Sequence, residues 1–188
     1  AYDEGPNAIA VRLWWLMRYY GHPAALLDGG LAAWRAAGCE LETGEFRGEP
    51  GPQTHLEPNQ GMAVSTEALS GSLADYRVVD ARTSERFRGD VEPLDSKAGH
   101  IPGSINRPFG NNLQMNGRFK APHTLRSELE SLLADVPLER VLHSCGSGVT
   151  ACHNQFAMEY AGMAGTKIYP GSWSEWIRDP SRPIVTGD

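Results

Sequence analysis

The chain has 188 residues, with 17 Lys and Arg against 23 Asp and Glu, a net charge of −6 at pH 7, and 40 % hydrophobic residues. That composition supports one full core, or one core and a partial second, and an acidic chain without a basic run excludes nucleic-acid binding as its main role. Three cysteines, Cys39, Cys145 and Cys152, are too few and odd in number for a disulfide scaffold and point to a reducing, cytoplasmic setting. The most apolar stretch, Ala8 to Tyr20, is too short to span a bilayer, carries Arg12 and Arg18, and lacks the pattern of a signal peptide, so no membrane association is expected.

In chain order, Asn7 is expected to cap a helix whose Val11, Trp14, Trp15 and Met17 are apolar, stopped by Gly21-His22-Pro23. Ala24 to Leu27 reads as a short strand, Asp28-Gly29-Gly30 as a turn, and Leu31 to Ala37 as a second helix ended by Gly38. This order belongs to a parallel α/β layer, yet one strand makes no sheet. The segment therefore either pairs with the rest of the chain or is the tail of a domain that begins elsewhere. Residues 42–62, with Gly44, Gly48, Pro50, Gly51, Pro52, Pro58 and Gly61 among polar residues, read as an interdomain linker.

From Ala63 onward the α/β rhythm is fuller. Ser65 caps a short helix through Leu73, Arg77 to Asp80 is a strand, and Thr83 to Arg88 a helix. A short strand is expected near Ser104-Ile105-Asn106. Thr124 then caps a helix with Leu125, Leu129, Leu132 and Leu133 on one face, with Glu128 close to a capping-box position. Strand Arg140 to Ser144 leads through the loop Cys145–Thr150 into a helix from Ala151 to about Ala161. Lys167 to Tyr169 and Ser172 to Arg178 are the last strand and helix. Residues 63–188 thus suit one doubly wound α/β domain, a parallel sheet with helices on both faces.

The chemistry concentrates in VLHSCGSGVTAC. Cys145 ends a strand, where open α/β sheets place their ligands, and Gly146 and Gly148 permit backbone angles that turn successive N–H groups toward one point. The next helix directs its positive end there, and Ser147 and Thr150 add hydroxyl donors. Such a cup stabilises an anion, and a thiolate is one, so Cys145 is the candidate nucleophile. A cysteine serving only as a small buried hydrophobe requires no pair of glycines after it. A phosphate-binding Cys-x5-Arg loop is the other anion cradle of this type, but Ala151 stands where its arginine would be.

CGSGVTA resembles the active-site loop of the rhodanese superfamily, in particular of its two-domain 3-mercaptopyruvate sulfurtransferases. AGHIPGSIN (98–106), VVDAR (78–82) and GSWSEW (171–176) resemble further motifs of that superfamily in the expected order. WWLMRYYGH and LLDGGLAAWRAAG are similar to the second half of the non-catalytic amino-terminal rhodanese domain. The resemblance implies a rhodanese-like catalytic domain at 63–188, preceded by a partial second rhodanese domain at 1–41 that lacks its first half.

It also implies a mechanism without metal or organic cofactor. Cys145 takes a sulfur from a small-molecule donor as a persulfide and passes it to a thiol acceptor such as thioredoxin or glutathione, or to cyanide. Ser147 is implied to position or protonate substrate, Arg86 to bind its anionic end, and Gly146, Gly148, Val149 and Thr150 to form the binding loop. Where mercaptopyruvate enzymes carry a second carboxylate-binding arginine, this chain has Leu94 after Glu92-Pro93, leaving Lys97 or Arg88 as replacements. Thiosulfate enzymes place basic residues directly after the cysteine, and here Gly146-Ser147 is neutral. Mercaptopyruvate is therefore the expected donor and thiosulfate the alternative. A binding module inactive through truncation is a further alternative, since an acid and a histidine of the family's amino-terminal half have no counterpart in this chain.

Cys152, Cys39 and the histidines lack metal-ligand spacing. Cys152 is expected to be buried on its helix, His100 to tie down its loop, Trp14 and Trp15 to bury a helix, and Trp173 and Trp176 to line the pocket wall.

Overall fold

The computed structural model describes residues 1–45, 48, 49, 51 and 56–188. Part of the expected linker, including Pro50 and Pro52, lies outside them. Four strands, β1 (Arg77–Asp80), β2 (Ile105–Asn106), β3 (Val141–Ser144) and β4 (Lys167–Ile168), form one parallel sheet in the order β2-β1-β3-β4. The strand order reverses between β1 and β3, which opens a crevice beyond their carboxyl ends. Asp80 lies opposite Ser144 in the register, so Ala81 and Cys145 leave the sheet side by side.

Side chains alternate across β1 and β3 and so feed two cores. Val79 and Val141 pack beneath α5 (Pro122–Leu133) and α6 (Ala151–Tyr160), where Leu125, Leu129, Leu133, Ala157 and Met158 are buried. Val78 and Leu142 pack on the opposite face against Leu69 of α3 (Thr66–Gly71) and Trp173 and Trp176 of α7 (Ser172–Trp176). This is the doubly wound arrangement expected for 63–188. A short helix α4 (Ser84–Arg88) follows β1. The remaining helices are α1 (Ala10–Tyr19) and α2 (Gly30–Ala36), and none of the described helices is long and apolar enough to cross a membrane.

Several local expectations are corrected. Ala24 to Leu27 is not a strand: Leu27 N–H and Ala25 C=O bond to Ala1, the Leu27 carbonyl accepts from Gly30 N–H and the Asn7 side chain, and no ladder forms. Asn7 does not cap α1. Its side chain turns to donate to the Leu27 carbonyl at 2.9 Å, and Asp3 accepts from the N–H groups of Gly5, Asn7, Ile9 and Ala10 instead. Burial works against the charged form of Asp3, but these four donors hold its carboxyl below the usual range. Helix α5 begins at Pro122, a residue suited to a first turn, and Glu128 pairs with Arg107 and Lys120 rather than closing a capping box. Ser65 caps α3 as expected, accepting from Ala68 N–H at 3.2 Å.

The amino-terminal segment packs on the carboxy-terminal part of the chain. Val11, Trp14 and Trp15 of α1 share one apolar cluster with Ala81, Cys145, Ala151, Cys152 and Ile168. His153 on α6 reaches the Pro6 carbonyl through Nε2 at 3.2 Å. His100 ties its loop down as expected: it stacks on Phe87, its ring Nδ1 meets the Phe87 carbonyl at 2.8 Å, and its backbone pairs with Val185.

His143 and His153 are fully buried, and burial pushes their pKa values from the ordinary 6.5 down to about 3 and about 4. Both stay neutral in the folded chain at a pH where the unfolded chain binds protons. Their contribution is therefore intact above the unfolded value and declines as pH falls from about 6.5 toward 4. At about 1.4 kcal/mol per unit for each group, urea unfolding at pH 5 is expected to give a stability about 3–4 kcal/mol below that at pH 7. Equal stabilities at the two pH values would contradict this.

Candidate active site

Cys145 begins the loop between β3 and α6. It lines a cavity of about 360 Å³ together with Ala81, Arg82, Thr83, Arg86, Leu94, Asp95, Phe109, Gly146, Ser147, Val149, Thr150 and Ser174. Although Cys145 is only 2 % exposed, it belongs to this open cleft at the reversal point of the sheet. Six of the seven residues singled out from the sequence, Cys145, Ser147, Arg86, Gly146, Val149 and Thr150, thus meet on one surface. The seventh, Gly148, lies beneath it.

Gly148 N–H donates to Cys145 Sγ at 3.1 Å. Gly148 has φ +77°, and a Cβ there would run into the Pro170 carbonyl, so the turn requires glycine. The expected full ring of amides is reduced in this state to that single bond among the described residues. The N–H groups of Cys152 and His153 instead begin α6 by donating to Val149 and Thr150, and that of Cys145 donates to Ser172 Oγ at 3.0 Å. The start of α7 clamps the loop from the other side: Trp173 N–H donates to the Cys145 carbonyl, and Ser174 N–H to that of Gly146. Ser172 adopts φ +51° there while its hydroxyl donates to Tyr169 C=O.

A chain of charges runs along the cavity wall. Buried Arg82 holds Asp80 through Nε and Nη2, donates to the Gly99 carbonyl, and lies 4.9 Å above the Trp173 ring. Its Nη1 reaches Glu92 at 3.3 Å. Glu92 also accepts from Arg86 Nε and Nη2, the latter at 2.7 Å, and from the N–H groups of Leu94 and Asp95. Burial opposes ionisation of Glu92, but the Arg86 bonds and these amides hold its carboxyl below the usual range. Arg86 is therefore no solvated helix arginine. It stands over Gly146, whose added Cβ would lie 3.5 Å from Nη2.

Neither proposed replacement for the missing second arginine reaches the cavity. Arg88 pairs with exposed Asp90, and Lys97 does not line the cleft, while Leu94 does and is 78 % exposed. Trp173 and Trp176 do not form the wall either. Both are buried in the core, and Trp173 acts one layer back, beneath Arg82. Cys152 is buried as expected, and burial pushes its thiol up to about 12. Asp95, Ser174 and Arg12 were not identified from the sequence. Arg12 Nη1 donates to the Gly148 carbonyl at 3.3 Å from the far side of the loop. The one signal for Asp95 was its place three residues after Glu92, in the run that departs from the resemblance.

Comparison with known proteins bears on the whole chain. The family described as "Rhodanese-like domain" matches residues 65–179. A Pseudomonas aeruginosa protein named "Probable 3-mercaptopyruvate sulfurtransferase" is 46 % identical over all of this chain and 67 % of its own length. Human 3-mercaptopyruvate sulfurtransferase is 37 % identical over 94 % of this chain and 60 % of its own length. The structure of 3-mercaptopyruvate sulfurtransferase from Leishmania major superposes with a TM-score of 0.79 at 31 % identity, covering 93 % of this chain and 49 % of that one. An anaerobic ergothioneine biosynthesis enzyme from Chlorobium limicola shares the fold, with a TM-score of 0.85 at 24 % identity over 95 % of this chain and 45 % of its own. The chain thus spans about two thirds or less of these proteins. By the extent of these matches, it belongs to the rhodanese-like domain family.

Proposed function

We propose that the chain is the sulfur-transferring part of a 3-mercaptopyruvate sulfurtransferase, with Cys145 as nucleophile. The observation that carries this reading is Cys145 lining the cleft beside Arg86, its sulfur accepting from the Gly148 N–H at 3.1 Å. The Cys145 thiolate attacks the sulfur of mercaptopyruvate, an S–S bond forms and the C–S bond breaks. The electron pair of that bond leaves as the enolate of pyruvate, which takes up the thiol proton. A thiolate acceptor then attacks the outer sulfur and frees Cys145 as thiolate again. The outer persulfide sulfur lies one S–S bond of about 2.05 Å beyond Sγ, and the loop amides that Sγ does not engage are the donors this reading assigns to it. Stabilisation of that charge by preorganised donors is the main catalytic contribution of the loop.

Arg86 receives the donor's carboxylate, and Ser147, exposed at the cleft, supplies a hydroxyl to it. Thioredoxin or glutathione in a cytoplasmic setting suits three free cysteines as the acceptor environment. We also assign residues 1–41 to a second rhodanese-like unit, 42–62 to a linker and 63–188 to the catalytic unit, a division supported by the family match beginning at 65. Thiosulfate is the second reading, favoured by Leu94 in place of an arginine.

Incubation with 3-mercaptopyruvate followed by intact-mass measurement should show a gain of one sulfur that Cys145→Ser abolishes; no gain in the unaltered chain refutes the proposal. Arg86→Ala should raise the donor KM roughly tenfold to a hundredfold, the range for a lost charge-assisted bond, while cyanolysis of preformed persulfide changes little. Gly148→Ala, strained in φ and blocked by Pro170, should slow persulfide formation at least tenfold and lower stability by about 1–2 kcal/mol. An unchanged rate would show that its N–H is dispensable.

A further inference from the structure

Resting on the sulfurtransferase reading, we propose that Asp95 sets the charge of the donor, its carboxylate on the cleft wall admitting singly charged sulfur donors and rejecting dianions. Asp95 is held for this position. Its Oδ1 accepts from Ser174 Oγ at 2.7 Å, its Oδ2 accepts from Arg86 Nη2 at 3.3 Å, and its side chain is 11 % exposed. It lines the same cleft as Cys145.

The ion-pair network in the wall and directly behind it, where Asp80 and Glu92 lie, is negative overall. Arg82 and Arg86 contribute two positive charges and Asp80, Glu92 and Asp95 three negative ones, so 2 − 3 = −1 before Cys145 ionises. Arg82 also lines the cleft, but its side chain is buried and all three of its nitrogens are engaged, with Asp80, Glu92 and the Gly99 carbonyl. Arg12 lies under the loop and does not line the cleft. Arg86 is the cation presented to a donor, and its Nε and Nη2 are already committed to Glu92 and Asp95. Nη1 is its nitrogen without a hydrogen bond among the described residues. One open nitrogen, with its two N–H donors, beside a fixed carboxylate suits a single carboxylate on a donor whose sulfur end is a neutral thiol. Thiosulfate would bring two charges against Asp95 and the Cys145 thiolate together, and Arg82, the other cation lining the cleft, is already paired with Asp80 and Glu92. Like charges at such range are unfavourable unless a counter-charge is supplied.

Asp95→Asn removes the charge while leaving an amide oxygen for Ser174. Persulfide formation is measured by intact mass and by initial rates with thiosulfate and with 3-mercaptopyruvate. The expected result is a rise of roughly tenfold in kcat/KM for thiosulfate, carried by KM, against threefold or less for mercaptopyruvate. Asp95→Glu should restore the original ratio, and Asp90→Asn, which removes an exposed charge outside the cleft, should leave it unchanged. In the unaltered chain, pyruvate should inhibit persulfide formation at lower concentration than sulfate, a readout independent of whether the variant folds. Sulfur gain with an unchanged donor ratio in Asp95→Asn, or stronger inhibition by sulfate, overturns this proposal alone. No sulfur gain from either donor overturns the sulfurtransferase reading and this proposal with it.

Discussion

The buried pair between Asp80 and Arg82 organises the site. Two side chains, at 4 % and 1 % exposure, are taken out of water at the carboxyl end of β1, a costly step unless geometry and hydrogen bonding are complete. Here they are: Arg82 meets Asp80 through two nitrogens, then reaches Glu92, the Gly99 carbonyl and the face of Trp173. A buried pair of this kind adds little net stability but allows few alternative arrangements. Its consequence is positional. Glu92, fixed by Arg82, in turn fixes Arg86 and the amides of Leu94 and Asp95, so the charged wall opposite Cys145 is set from inside the core.

The second constraint is the turn at Gly148. The loop passes so close to Pro170 that a side chain does not fit, and the start of α7 bonds to the carbonyls of Cys145 and Gly146. The nucleophile's loop is thereby gripped by segments from two later elements, while the sheet register brings Ala81 and Cys145 out side by side. The turn is held in place because the Cys145 and Gly146 carbonyls accept from α7 N–H groups and Gly148 lies against Pro170.

The strands and helices of 63–188 were legible because hydrophobic alternation, the RVVD run and the glycines after Cys145 are local signals that tertiary packing reinforced. The short run Ala24 to Leu27 misled because strand propensity requires a neighbouring ladder, and its backbone meets Ala1, Gly30 and the Asn7 side chain instead of a strand. Asn7 gave way to Asp3 as the cap because a carboxylate can gather four N–H groups at once, a preference visible only when the chain folds back. Arg86 was readable through its motif. Asp95 and Ser174 were not, since their meeting depends on a contact between residues 79 positions apart. Trp173 and Trp176 were misplaced by one layer because an aromatic beside a site motif does not reveal which side of the backbone it occupies.

Arg12 and Gly148 are separated by 136 positions, yet the first donates to the carbonyl of the second, and Trp14 and Trp15 pack in the same cluster as Cys145. Contacts this distant along the chain carry an entropic cost to close. The docking of the first helix on α6 and the final hydrogen bonding of the sulfur-bearing turn are therefore coupled, since the Arg12 bond to the Gly148 carbonyl exists only when both are in place.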